Sequence, residues 1–255
     1  MQVFVYHTPD QVPDFKKKSY HSGTQLEMPS CAIVIDVLRA TTTMATALES
    51  GAEAIQVFDD INALFRLSKL WPEDKRLLVG ERGGKKLDGF DLGNSPAECT
   101  AERVAGKRLF MSTTNGTRAL ERVRQVPILL TASLTNRDAV TRFLLDKQPR
   151  TVWIIAAGWH GSFSLEDTLC AGAICHALNA EIDSDCAGDD EAIAATALFQ
   201  QWQDRLPDLL RYAHHGRDLQ AMGCEQDLDY CAWLGGVNVV PLQTGPGILT
   251  GVIPD

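Results

Sequence analysis

Short apolar runs rich in β-branched residues alternate with longer stretches of helical periodicity, and this alternation constrains the fold more than any other feature. Strands alternating with helices are typical of layered α/β folds with a largely parallel sheet. The predicted strands cover residues 3–6, 32–37, 54–58, 77–79, 109–112, 128–131, 152–156 and 237–240. The predicted helices cover about 42–50, 60–70, 97–104, 117–123, 136–146, 165–179, 189–203 and 207–213.

A length of 255 residues suits one large domain or two closely packed lobes. The most polar break, DKQPR at 146–150, is the best candidate for a lobe boundary, near 147–150. It is too short for a flexible linker. We therefore predict a single domain over 1–255 with a possible lobe boundary at that break.

The net charge of −9 argues against nucleic acid and anionic membrane surfaces as partners. An anionic substrate would then need local arginines, backbone N–H groups or a metal ion. No apolar run approaches the ~20 residues of a membrane span, and the N-terminus lacks a signal-peptide pattern, so we expect a cytoplasmic protein. The seven cysteines form no CxxC pair and are expected to be reduced and mostly buried.

A first polar cluster follows the predicted strand at 32–37, where Asp36, Arg39 and three threonines precede a helix. In open α/β sheets, ligands lie beyond the carboxyl ends of the strands, and helix N-termini offer N–H groups to phosphate. Asp36 is a candidate Mg²⁺ ligand, and Arg39 is a candidate oxyanion ligand. The alternative is that Asp36 pairs with Arg39 and that the threonines only cap the helix.

A second acid and arginine, Glu81 and Arg82, follow the predicted strand at 77–79 and precede two glycines. Glycine permits close approach of the backbone to a ligand. Glu81 is a candidate metal ligand, and Arg82 is a candidate second anion clamp. Taken alone, the pattern also fits a tight turn with a solvated Glu81–Arg82 pair.

Two further loops carry amide and hydroxyl side chains. Asn94 and Ser95 precede Pro96 and suit a helix start, with a pocket-lining role as the alternative. The segment 112–117, STTNGT, closes a predicted strand and opens a helix. We predict that this helix start binds phosphate or sulfonate oxygens, because it repeats the pattern of the first cluster.

The segment 158–167 follows another predicted strand and contains His160, Ser164, Glu166 and Asp167. Ser164 and Asp167 fit the outline of a helix-capping box. Glu166 and Asp167 are alternatively metal ligands or a general base. His160 is a candidate proton donor to a leaving alkoxide, with a purely structural role as the alternative.

His214 and His215 precede Gly216 and Arg217. Adjacent helical residues do not share a face, so the two histidines are not expected to bind one metal together. A solvated helix end is the predicted environment, and the alternative is that His215 or Arg217 reaches the cleft.

Several other chemistries lack their motifs in this chain. GxGxxG, GxxxxGK[ST] and GxSxG patterns are missing in the required contexts, which argues against dinucleotide, P-loop and α/β-hydrolase sites. An aspartyl-phosphate mechanism would make Asp36 the nucleophile, but Leu38 occupies the position where such enzymes carry a second acid.

The chain contains the motifs VIDVLRATTT, GERGG, GNSP, TTNGT, SxED with the following AG, HGR and LG. Together, these motifs resemble the 2-phosphosulfolactate phosphatase family. They occur in family order between about residues 33 and 235. The resemblance implies a three-layer α/β/α fold, a Mg²⁺ requirement, and hydrolysis of (2R)-phosphosulfolactate to sulfolactate and phosphate, a step of coenzyme M biosynthesis. It carries over to Asp36, Arg39, Thr41, Thr42, Glu81, Arg82, Asn115, Gly116, Thr117, Glu166 and Asp167.

The resulting hypothesis places Mg²⁺ on two or three of four acids, Asp36, Glu81, Glu166 and Asp167. The arginines and the two helix starts would neutralise the phosphoryl oxygens, and a metal-polarised water would attack in line with help from His160 or an acid. The predicted catalytic residues are Asp36, Glu81, Asp167 and His160.

Two alternative functions stay open at the level of sequence. One is the same chemistry on another small phospho-hydroxy acid, such as phospholactate or phosphoglycolate. The other is a non-catalytic protein that binds anionic metabolites, although a pure anion binder gains nothing from four acids unless a cation is bound. A homodimer is the default expectation for the assembly.

Overall fold

The computed structural model describes residues 1–13, 20–21, 24–25 and 27–255, in which strands and helices alternate as predicted. The strands are β1 (Gln2–Tyr6), β2 (Tyr20–His21), β3 (Thr24–Gln25), β4 (Cys31–Ile35), β5 (Ala54–Val57), β6 (Arg76–Arg82), β7 (Lys85–Lys86), β8 (Arg108–Ser112), β9 (Ile128–Ala132), β10 (Thr151–Ala156), β11 (Val240–Gly245) and β12 (Ile248–Val252). The α-helices are α1 (Ala40–Glu49), α2 (Ile61–Ser68), α3 (Ala101–Val104), α4 (Gly116–Val123), α5 (Arg137–Lys147), α6 (Leu165–Glu181), α7 (Asp190–Trp202), α8 (Leu206–Tyr212), α9 (His214–Ala221) and α10 (Glu225–Cys231). Short 3₁₀ helices cover Pro9–Gln11, Glu73–Lys75, Pro96–Glu98 and Gln203–Arg205.

Ten of the described strands form one mixed sheet in the order β1-β10-β4-β9-β11-β12-β5-β8-β6-β7. Strands β1, β10, β4 and β9 form one parallel block, and β5, β8 and β6 form another. The antiparallel hairpin β11–β12 lies between the blocks and pairs antiparallel with both. Three successive antiparallel pairings therefore make the two parallel blocks run in opposite directions.

Both faces of β4 are buried, as expected for a central parallel strand. Cys31, Ile33 and Ile35 belong to one apolar cluster, which includes side chains of α5 to α8. Ala32 and Val34 belong to a second cluster, which includes side chains of α1 and α4. The α/β class and the mixed sheet are confirmed, whereas the three-layer arrangement stays a prediction.

Two predicted elements were wrong in their bounds, and two helices were missed. The strand predicted at 237–240 begins only at Val240 and continues into an unpredicted hairpin, whose turn contains Gly247 at a φ of 71°. The helix predicted at 97–104 is divided into a 3₁₀ turn and the single-turn α3. Helices α9 and α10 were not predicted as elements, because their short polar segments show little apolar periodicity.

The polar break after α5 leads directly into β10, which lies between β1 and β4 in the sheet. Gln148 adopts a left-handed conformation there with a φ of 47° and ends the helix. The single domain over 1–255, with a lobe boundary at 147–150, stays a prediction.

Gly172 brings α6 close to α7. A Cβ atom at Gly172 would lie 1.8 Å from the Ala195 carbonyl oxygen, so no side chain fits there without separating the helices. We expect Gly172→Ala to lower the free energy of unfolding by about 2 kcal/mol, measured by urea denaturation. Gly245→Ala is the control, because its Cβ would meet Ile248 only at an ordinary 3.6 Å. Equal effects of the two substitutions would contradict this packing.

Candidate active site

The segment between β4 and α1 forms the floor of the site. The Asp36 N–H donates to Thr41 Oγ1 at 3.0 Å, and the Thr41 N–H donates to the Asp36 carbonyl at 3.0 Å. Thr42 Oγ1 donates to the Val37 carbonyl at 2.8 Å. Both threonines are fully buried. These predicted substrate ligands are therefore occupied in holding the backbone that presents Asp36.

Asp36 Oδ1 accepts a long hydrogen bond of 3.4 Å from the Ala40 N–H, at the start of α1. The other oxygen, Oδ2, has no hydrogen-bond donor among the described residues. A Cβ atom at Gly116 would lie 3.0 Å from this oxygen, so only glycine lets the N-terminus of α4 come this close. Asp36 is 6% exposed and keeps one free carboxylate oxygen facing the pocket.

Asp167, in the first turn of α6, accepts hydrogen bonds from the segments that follow β4 and β10. Its Oδ1 accepts from the Val37 N–H at 2.8 Å, and its Oδ2 accepts from the Gly158 N–H at 3.2 Å. Ser164 caps α6 by accepting from the Asp167 N–H, so the predicted capping role of Ser164 is confirmed. Asp167 is thus placed at the site, with both oxygens engaged by the backbone.

Glu81 connects the second parallel block to the site. Its Oε1 accepts from the Thr114 N–H at 2.8 Å, and its Oε2 accepts from the Gly84 N–H at 2.9 Å. It is 7% exposed, so a solvated Glu81–Arg82 pair does not form. Arg82 instead donates to the Glu81 carbonyl and to Ser112 Oγ and does not line the pocket.

A narrow pocket of about 10 Å³, hereafter the reaction pocket, brings the separate motifs together. Asp36 and Glu81 both line it, although Asp36 follows β4 and Glu81 lies near the end of β6, a strand of the oppositely directed block. Its lining residues are Asp36, Leu38, Arg39, Glu81, Gly84, Asn94, Asn115, Trp159 and His215. The predicted convergence of separate loops on one site is therefore observed.

Burial and neighbouring acids disfavour ionisation at the pocket. Burial raises the pKa of Asp36 from 3.8 to about 6; His215 opposes this rise, whereas Glu81 and Glu166 add to it. Burial, followed by the charges of Glu166 and Asp36, raises the pKa of Asp167 well above its usual value. Carboxylates concentrated in this way indicate a site that gains from a bound cation.

His215 occupies the place for which sequence reasoning proposed His160. The His215 ring stacks on Trp159 at 3.5 Å between centroids, and its Nδ1 lies 3.6 Å from Glu166 Oε1. His160 is exposed and does not line the pocket. The expectation of a solvated helix end was wrong for His215, which is buried, whereas the His214 side chain is 67% exposed.

Arg39 lies at the pocket but pairs with an acid that the sequence did not reveal. Its Nη1 lies 2.5 Å from Asp227 Oδ2, and its Nη2 donates to the Gly84 carbonyl at 2.9 Å. Ser95 Oγ donates to the other Asp227 oxygen at 2.6 Å. The alternative pairing of Asp36 with Arg39 is therefore not observed. Asp227 lies in a polar stretch of α10 with no motif, so the sequence offered no signal for it.

The N-terminus of α4 faces the same pocket. Asn115 lines the pocket without a side-chain capping bond, and Thr117 Oγ1 accepts from the Thr113 N–H at 3.1 Å. The first-turn N–H groups of a helix have no intrahelical acceptor. Thr117 therefore shapes the loop, while Asn115 and Gly116 lie where an oxyanion would meet backbone N–H groups.

The four acids fit a divalent cation only in part. Both oxygens of Glu81 and of Asp167 accept backbone N–H groups, whereas Asp36 Oδ2 and Glu166 have no such donor in the described part of the chain. Within residues 1–13, 20–21, 24–25 and 27–255, no group of three His, Cys, Asp or Glu side chains is arranged to hold a metal ion. Mg²⁺ is usually bound by one or two carboxylates, with water and substrate oxygens completing its coordination shell, and Asp36 and Glu166 match that pattern.

In the described part of the chain, no helix is both long and apolar enough to cross a lipid bilayer.

Comparison with known proteins gives one consistent result. The family described as 2-phosphosulpholactate phosphatase matches residues 17–246. A protein of Nostoc punctiforme named probable 2-phosphosulfolactate phosphatase is 53% identical over 252 residues, covering 98% of each chain. Proteins of the same name from Thermosynechococcus vestitus and Microcystis aeruginosa are 53% and 51% identical, covering 98% of this chain and 99% of their own.

Proposed function

The chain belongs to the 2-phosphosulfolactate phosphatase family, a family of phosphoric monoester hydrolases, and we propose that it hydrolyses 2-phosphosulfolactate in a Mg²⁺-dependent reaction. The observation that carries this proposal is the free oxygen of Asp36. Asp36 lines a narrow pocket together with a buried arginine, a buried histidine and the residue before the first turn of α4. Phosphoryl transfer depends on positioned cationic groups and N–H donors of this kind.

Charge on the phosphoryl oxygens is met by Arg39 and by the start of α4. Arg39 is held from two sides by Asp227 and the Gly84 carbonyl, so its guanidinium is oriented before substrate arrives. Gly116 lets the start of α4 pack closely against Asp36 and Ala40, which brings the first N–H groups of α4 beside the Asp36 carboxylate. Donors held in position in this way stabilise developing charge without reorganisation at the moment of reaction.

Asp36 lines the reaction pocket, whereas Glu166 does not line it but lies 3.6 Å from the lining residue His215. These two residues would hold Mg²⁺, because no backbone N–H group donates to Asp36 Oδ2 or to the Glu166 carboxylate in the described part of the chain. The ion, when bound, would supply positive charge to the phosphoryl oxygens and acidify a bound water. Glu81 and Asp167 would orient the surrounding loops through their backbone contacts.

His215 is the group placed to move a proton. Its stacking on Trp159 and its contact with Glu166 fix the ring at the pocket. In the hydrolysis, water adds to phosphorus, the ester P–O bond breaks and the leaving alkoxide takes up one proton. We assign delivery of that proton to His215 rather than to the exposed His160.

The first experiment is phosphate release from 2-phosphosulfolactate, 2-phospholactate and phosphoglycolate, with and without EDTA. We expect the highest kcat/KM with 2-phosphosulfolactate, a loss of at least about tenfold in EDTA, and recovery on adding excess Mg²⁺. Zn²⁺ or Ca²⁺ added in place of Mg²⁺ controls for simple structural rescue. Full turnover in EDTA would remove the metal from the proposal, and preference for another ester would change the substrate.

A further inference from the structure

A larger cavity adjoins the reaction pocket. The reaction pocket has about 10 Å³ and the neighbouring cavity has about 440 Å³. The two share Arg39, Gly84 and Asn94 as lining residues. When the phosphoryl group is bound beside Asp36 and Arg39 as proposed above, the organic part of the ester needs adjoining space, and this cavity is the space that adjoins Arg39.

Most charges of this cavity are already engaged by the protein. Asp227 is paired with Arg39 and accepts from Ser95, and Glu98 Oε2 accepts from the Gly93 N–H at 2.7 Å. Two other charged residues, Lys86 and Glu225, line the cavity. Lys86 has no carboxylate partner among the described residues, so its ammonium group is available to a ligand.

The β6–β7 hairpin directs Lys86 towards the site. Lys86 is the cross-strand partner of Glu81, and paired residues of a ladder project to the same face. The Lys86 side chain begins beside Gly93, because a Cβ atom built at Gly93 would be in ordinary contact with Lys86 Cβ at 3.5 Å. The neighbouring Lys85 is exposed, pairs with Arg82, does not line the cavity, and projects to the opposite face of the strand.

Asn94 lies at the junction of the two spaces. It is 6% exposed, and its Oδ1 is buried without a hydrogen-bond partner among the described residues. Because no hydrogen bond holds the amide, it can turn either its oxygen or its NH₂ group to a ligand. A buried amide left in this state indicates that a bound molecule completes its hydrogen bonding.

We propose that the 440 Å³ cavity is a subsite for an acidic group, a carboxylate or sulfonate, on the leaving alcohol. The Lys86 ammonium group binds this acidic group, and Asn94 contacts the bound molecule at the junction of the two spaces. The proposal rests on the phosphatase function above for its account of the leaving group. Lys86 takes the role of second substrate-binding cation that the sequence had suggested for Arg82, because Arg82 donates to Ser112 instead.

The test compares Lys86→Met with Lys85→Met, two neighbouring exposed lysines on opposite faces of one strand. Calorimetric titration with 3-sulfolactate, in the presence of Mg²⁺, is expected to show a Kd raised about tenfold in Lys86→Met and unchanged in Lys85→Met. Lys86→Arg is expected to bind 3-sulfolactate within about threefold of the native protein. Unfolding midpoints should be equal for all variants, because each side chain is exposed.

Steady-state kinetics provide the second readout. Lys86→Met is expected to raise KM for 2-phosphosulfolactate about tenfold with kcat within twofold. It should leave the turnover of 2-hydroxyethyl phosphate, which has no acid on its alcohol, unchanged. Equal losses with both esters, equal behaviour of the two lysine variants, or no binding of 3-sulfolactate to the native protein would overturn the proposal.

The two proposals fail in different ways. If the native protein releases phosphate but Lys86→Met behaves like Lys85→Met, the subsite is rejected and the phosphatase function stands. If 3-sulfolactate binds through Lys86 but no ester is hydrolysed, the phosphatase function is rejected and the acid-binding cavity stands.

Discussion

Replacing Asp36 with asparagine is expected to lower kcat for phosphate release by at least about 10³-fold, the scale of loss seen when one preorganised charged group is removed from a site of this kind. Asparagine preserves the shape of the side chain but removes the charge that would hold Mg²⁺. The rate should be measured at saturating Mg²⁺ and substrate. Asp146→Asn, at an exposed aspartate in α5, is the control and should retain the native rate.

The same substitution is expected to stabilise the metal-free protein at pH 7.5. Because the pKa of Asp36 is raised from 3.8 to about 6 by folding, its protonated form favours the folded state below about pH 4, and this contribution is lost as pH rises through 6. Above pH 6 the folded protein carries a buried carboxylate at a cost of about 3 kcal/mol. Asparagine removes that cost.

Urea denaturation in EDTA at pH 4.5 and pH 7.5 measures this difference. We expect Asp36→Asn to exceed the native free energy of unfolding at pH 7.5 and to approach it at pH 4.5. A variant with native activity would remove Asp36 from the mechanism. A variant that is less stable than the native protein at pH 7.5 would show that the carboxylate is not destabilised by burial.

Asp227→Asn is expected to lower the free energy of unfolding by about 3–5 kcal/mol, because it leaves the guanidinium of Arg39 buried without a counter-charge. The two side chains are only 5% and 7% exposed. Urea denaturation again measures the change. Activity should fall as well, because Arg39 loses one of the two contacts that orient it towards the reaction pocket.

Asp229 provides a matched control on the same helix. It pairs with Arg211 at 2.5 Å, the same distance as the buried pair, but the two side chains are 59% and 36% exposed. Asp229→Asn is therefore expected to cost no more than about 1 kcal/mol. Similar losses for Asp227→Asn and Asp229→Asn would show that burial of the Arg39 pair does not set its importance.

A double substitution separates stability from catalysis. Arg39→Met with Asp227→Leu removes both charges together, and apolar replacements of a buried ion pair are often neutral or stabilising. The double variant should regain most of the stability that Asp227→Asn loses, yet it should remain inactive because no guanidinium faces the phosphoryl group. Recovery of activity in the double variant would remove Arg39 from substrate binding.

The acids of the site differ in how many of their carboxylate oxygens accept hydrogen bonds. Asp167 and Glu81 each accept two backbone N–H groups and hold the surrounding loops, whereas Asp36 keeps a free oxygen in a buried position. Sites of this kind commonly sacrifice stability for function. The cost of Asp36 to the metal-free protein is therefore linked to the free carboxylate oxygen by which Asp36 would bind Mg²⁺ in the proposed function.

Local sequence patterns were enough to predict the α/β class, because alternating strand and helix periods leave few other ways to bury the strands. It also identified the loops after β4, β6, β8 and β10, since glycine, hydroxyl and acidic residues at strand ends mark such loops. The cap at Ser164 and the presence of Asp36 and Glu81 at one site were both predicted in this way. These features depend on local patterns, which a sequence displays directly.

The set of residues that meet at the pocket became known from the fold and not from local patterns. The β11–β12 hairpin sets the two parallel blocks in opposite directions, and no local pattern encodes that pairing. Asp227 and His215 reach the site from helices far along the chain, while Arg82 and His160 are turned away from it. Contacts between distant segments depend on packing of the whole chain, so side-chain partners at the site became visible only in the folded molecule.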